Sequence, residues 1–137
     1  MNGITVSGAS RIEQFIPYIN SGDTVFVNVG MPDIDWAGIA AFPFLSHSGT
    51  CDFSPECCKE SLGLLKRIGA RPVVLRPYRL SASKCFDLVT EGMDASSRAN
   101  VLRWLGGSPE PLLAICDRQA QAVVSAAHSL RIPVRRA

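Results

Sequence analysis

At 137 residues, 47% hydrophobic and 19% charged, the chain has the composition of a globular domain that buries about two-thirds of its unfolded surface, which excludes a disordered segment. Its net charge of +2 conceals two halves of opposite sign: residues 1–60 carry two bases against seven acids, −5, and residues 61–137 carry twelve against five, +7. No run approaches the ~18 apolar residues of a membrane-spanning helix, and the N-terminus lacks the basic and apolar segments of a secretory signal, so a cytoplasmic protein is expected.

Ile4-Thr5-Val6 reads as a short strand, and Ser7-Gly8-Ala9-Ser10 as a turn of small residues. Ile12, Phe15, Ile16 and Ile19 recur at helical spacing until Pro17 interrupts them. After the turn Ser21-Gly22-Asp23, Thr24 to Val29 is the clearest strand, and its near-continuous apolar character suits a parallel sheet. Gly30 to Asp33 breaks it, and Ile34 to Ala41 fits a short helix. Residues 42–53 read as a loop with one short strand. Ser54 and Pro55 open a helix whose stripe is Cys58, Leu62, Leu65 and Ile68, closed by Gly69.

Pro72 to Leu75 is the next strand, ended by Pro77. Ser83 to Glu91 forms a helix with Cys85, Leu88 and Val89 inward, and Ser97 to Leu105 another, stopped by Gly106-Gly107. The last stretch divides into a strand at Leu112 to Cys116, a turn at Asp117-Arg118-Gln119, a helix carrying Ala120, Val123, Val124, Ala127 and Leu130 on one face, and a closing strand at Ile132-Pro133-Val134. Strands alternating with helices at this spacing predict a single α/β domain over 1–137, a Rossmann-like fold with a mostly parallel open sheet flanked by helices.

In such sheets ligands bind where strands give way to helices. Three turns are therefore candidates for the C-terminal edge. The first, with Gly8, Ser10 and Arg11, lets a phosphate approach the backbone, although a plain tight turn has the same composition. The second, from Asn28 to Asp35, has Gly30 for a sharp bend and Asp33 or Asp35 for a ribose hydroxyl or, more commonly, a helix cap. In the third, Asp117 and Arg118 follow the apolar run, with Asp117 as ligand contact or N-cap.

Eleven of the fourteen bases are arginine, the side chain suited to bidentate phosphate or carboxylate contacts, although solvated surface and salt bridges are the commoner explanation. Five cysteines without an export signal read as reduced thiols. His47, Cys51, Cys57 and Cys58 lack paired zinc-ligand spacing, so no metal is expected, and no cofactor motif occurs. Trp36, Trp104 and the two tyrosines are too scattered for a base-stacking platform, and nucleic acid is not the expected partner.

Several of these segments resemble the SLOG superfamily of Rossmann-like proteins, which includes LOG phosphoribohydrolases and DNA-processing proteins. Ile4 to Arg11 resembles its opening strand and Gly-Ser-Arg turn. Val27 to Ala37 resembles its second strand and G-x-x-x-G-x-D-x-x-A turn, matching at Gly30, Asp35 and Ala37. Arg98 to Leu102 resembles an Arg-Asn helix start, and Ala114 to Val134 the closing strand, helix and I-P-V. Asp33 replaces the second glycine, Ala99 separates Arg98 from Asn100, and the PGGxGT-x-x-E signature of the active hydrolases is absent. Asp52 to Gly69 with the LLAICD and RIPV segments also resembles the effector-binding domain of LacI-type sugar regulators.

The resemblance implies a nucleotide or nucleotide-derived phosphate at the C-terminal edge of the sheet. Gly8, Ser10 and Arg11 would lie near phosphate, Asp35 near the ribose, with Gly30 in the turn and Asp117 and Arg118 opposite. A protein-interaction domain of inhibitor or immunity type, with a protein partner, and a sugar-sensing fragment are the alternatives.

Overall fold

A computed structural model describes residues 3–32, 34–42, 55–77 and 80–136, apart from the side chain of Ser10. Asp33, the loop and strand expected within 42–53, and the Ser54 cap lie outside the described residues, save Phe42. The chain divides into two compact units, one of residues 1–33, 52–79 and 116–137, the other of 34–51 and 80–115.

The first unit holds the sheet. Strand β1 (Gly3–Ser7) leads through Gly8, at φ 96°, into a short helical segment comprising Ala9–Arg11, helix α1 (Ile12–Phe15) and Ile16–Tyr18. Pro17 stands where the α-helix has already given way to a tighter turn. Strand β2 is Thr24–Asn28. Counting Trp36–Ala41 of the other unit as α2, helix α3 runs Pro55–Arg67, and β3 is Arg71–Arg76. After α4 and α5, also of the other unit, comes α6 (Pro111–Ser129), and β4 (Val134–Arg136) closes the sheet.

All four strands are parallel, in the order β1-β2-β3-β4, and so the α/β class and parallel sheet expected from the sequence are present. Among the described residues the order does not reverse. A chain that steps one way with right-handed crossovers lays its helices on a single face. The burial pattern agrees: Val6, Val25, Val27 and Val74 share one cluster with Ile12 of α1, Leu62 and Leu65 of α3, and Val123, Ala126 and Ala127 of α6. The opposite face carries Thr5, Phe26, Val73 and Leu75, none of them in that cluster.

The expected strand at Leu112 to Cys116 is not formed. These residues are the start of α6, one unbroken helix of 19 residues. Five apolar residues in a row fit a buried strand or one flank of a helix equally well. Pro111 in the first turn decides for helix, and Asp117-Arg118-Gln119 contains no glycine or proline to end it.

In the second unit, α2 (Trp36–Ala41), α4 (Ala82–Val89) and α5 (Ala95–Trp104) are fastened by side chains. Trp36 and Trp104 meet edge to face, with centroids 5.8 Å apart. The Asn100 amide donates to the Ala40 carbonyl at 2.7 Å, and Arg98 pairs with Asp87 at 3.1 Å while lying over the Phe86 ring. Asp94 caps α5; the Ser97 backbone N–H holds its carboxyl below the ordinary 3.8. Leu88, expected inward, is 43% exposed. No helix among the described residues is long and apolar enough to cross a membrane.

Candidate functional site

Parallel strands bring the first two expected turns to one edge, and Asn28 joins them. Its backbone carbonyl accepts the Gly8 N–H at 2.9 Å, and its side-chain Oδ1 accepts the Gly30 N–H at 2.8 Å. The Gly30 carbonyl in turn accepts from Cys116 Sγ at 3.4 Å. A Cβ on Gly30 would stand 2.2 Å from Pro77 Cγ, so this glycine is required by packing. The Gly8 and Gly30 amides are therefore spent within the fold.

The remaining candidates divide similarly. Asp35 belongs to the second unit and accepts the Gly38 N–H at 3.0 Å as the N-cap of α2, the commoner of its two expected roles. Asp117 and Arg118 are exposed in the interior of α6, so neither follows a strand. Arg11 is exposed beside the first turn. Among the described residues the strand order does not reverse, and so they form no switch-point crevice of the kind that made this edge the expected site. Arg98 and Asn100, the Arg-Asn pair of the resemblance, hold α5 to α4 and α2.

At the other end of the strands the first unit contains a hollow of about 530 Å³, within the size range of small-molecule sites. Register explains its composition. Thr24 lies beside Arg71; one row along, Phe26 lies beside Val73, and Pro133, the residue just before β4, follows across, its carbonyl accepting the Val74 N–H; beyond them Leu75 lies beside Arg135. Alternate residues share a face. An apolar floor of Phe26, Val73 and Pro133 is thus bordered by Thr24 and Arg71 on one side and Arg135 on the other. Lys66, Ala70, Pro72, Arg131 and Ile132 complete the lining.

Among the described residues, four cations and no carboxylate line this hollow. Lys66 is fixed, its ammonium donating at 2.7 Å to the Leu130 carbonyl at the end of α6, where a cation is favoured by the helix dipole. Among the described residues, Arg71, Arg131 and Arg135 have no carboxylate within ion-pair distance. Like charges gathered without counter-charge repel one another, and a bound anion relieves that repulsion.

Arg131 also adopts a backbone conformation that favours glycine, with φ 58°. Helix α6 ends in a Schellman turn, in which Ile132 N–H reaches the Ala127 carbonyl and Arg131 N–H the His128 carbonyl. Helix α3 ends the same way with Gly69 at the equivalent position, and α5 with Gly106. Left-handed geometry costs a non-glycine residue about 1–2 kcal/mol. The chain places glycine at two of these three corners and an arginine at the corner that lines the hollow.

No protein-family model, curated protein or solved structure matches the chain. Sequence reasoning noticed the arginine excess in the second half but did not localise it. Two signals were present: the S-L-R-I-P segment, with arginine where a helix-ending glycine is usual, and arginines at the ends of the short strands R-P-V-V-L-R and V-R-R.

Proposed function

We propose that this protein binds a small phosphate-bearing molecule, a class that includes the nucleotide-derived ligands expected from the sequence. The site is the hollow at the strand N-termini. The observation that supports the reading is the convergence of Arg71, Arg131 and Arg135 with Lys66 on one apolar floor without an opposing acid. Arginine's planar fork matches phosphate oxygens two at a time, and Thr24 adds a hydroxyl at the same border. The C-terminal edge is the less favoured location, because Gly8, Gly30 and Asp35 already make internal hydrogen bonds there or in the second unit.

Calorimetric titration with AMP, ribose 5-phosphate and inorganic phosphate tests this. Arg71→Ala and Arg135→Ala should each weaken binding about ten- to a hundredfold, the loss of one charge-assisted contact of ~1.5–3 kcal/mol. Arg11→Ala and Arg118→Ala should leave it unchanged, and added salt should weaken it. If the Arg11 and Arg118 variants lose affinity instead, the ligand belongs at the C-terminal edge. If no phosphate compound binds, the protein-interaction reading becomes the better one.

A further inference from the structure

Resting on that reading, we infer that the site selects a phosphate ester carrying a planar ring, with Phe26 as the residue that determines specificity. The support lies in how Phe26 is seated. Residue 3 on β1 is glycine, and a Cβ there would approach Phe26 Cε2 to 3.1 Å and Cδ2 to 3.7 Å. The ring therefore leans across β1 over the space that a side chain at position 3 would fill. Gly3 pairs with Thr24, one row below Phe26, so the ring is tilted toward the end of the sheet where Arg71 lies.

This seating leaves the ring half-buried, with a side against the hollow. Val73 on β3, 7% exposed, and Pro133, just before β4, continue the apolar lining. Strands lie ~4.8 Å apart, so three side chains in a row span roughly 10 Å, the width of a one- or two-ring system. Arg71 stands two residues before Val73 and Arg135 one row beyond it, each roughly 7 Å along the strand direction. A molecule with its ring on Phe26 and Val73 places an attached phosphate at that distance. A sugar phosphate would instead set ring hydroxyl groups on the floor of Phe26, Val73 and Pro133, whose side chains neither accept nor donate, which is unfavourable.

The test compares phenyl phosphate and AMP with ribose 5-phosphate on wild type, Phe26→Leu and Phe26→Tyr by calorimetry. Wild type should bind both ring-bearing esters at least fivefold more tightly than ribose 5-phosphate. Phe26→Leu keeps the apolar volume but removes the ring, and should cut that preference about 5- to 150-fold, the range for one lost aromatic stack. Phe26→Tyr should retain it, which separates a stacking role from a merely structural one. Equal affinity of all three esters for wild type, or a preference that survives Phe26→Leu, overturns this inference while leaving the phosphate reading standing. Absence of binding by every ester overturns both.

Discussion

Arg131 shows how a single residue is held in an unfavourable conformation by its neighbours. Ile132 is buried beneath it, and two Schellman hydrogen bonds fix the turn, so the backbone keeps φ 58° despite the side chain. Replacing it with glycine removes ~1–2 kcal/mol of left-handed strain but adds ~0.5–1 kcal/mol of unfolded-state entropy. Arg131→Gly should therefore be as stable as wild type or up to about 1.5 kcal/mol more stable in urea denaturation. Its affinity for phosphate esters should nonetheless fall about tenfold, the loss of one charged contact. A variant that loses stability and keeps its affinity would assign Arg131 to the fold alone. Gly30 is the opposite case, since Pro77 and Asn28 already fill the space of its missing side chain.

Among the elements, α6 separates what periodicity reveals from what it leaves ambiguous. The stripe Ala120, Val123 and Ala127 is buried as expected, because helical spacing over many residues has no strand alternative. The preceding LLAIC run had no such period, and only the Ser108-Pro109-Glu110-Pro111 approach marks a helix start there; Ser108 Oγ accepts the Glu110 N–H at 3.2 Å. Strands β1, β2 and β3 were legible from their β-branched runs, and the ends of α3 and α5 from their glycines. Asp117→Pro distinguishes the two readings of 112–117. In a continuous helix, proline at 117 clashes with the Leu113 carbonyl and costs about 3 kcal/mol or more. In a strand-to-helix turn it would be nearly neutral. Urea denaturation followed by circular dichroism should show the large loss; a change below ~0.5 kcal/mol would contradict the single helix.

At the scale of the whole molecule, topology decides where a ligand can bind. The sequence shows that strands alternate with helices, which leads to a parallel sheet, but strand order is a property of packing and cannot be read from local pattern. A sheet that turns back on itself opens a crevice at the strand C-termini. Among the described residues this one steps in a single direction, α1, α3 and α6 pack on one face, and the other face carries a basic hollow at the strand N-termini. The residues of that hollow come from β2, α3, β3, the end of α6 and β4, too far apart in sequence to form a motif. Amide chemical-shift mapping by NMR during titration with AMP tests the central claim most directly. The account expects the largest shifts at Thr24, Phe26, Arg71, Val73, Arg131 and Arg135; shifts concentrated at Gly8, Arg11, Gly30 and Asp117 would contradict it.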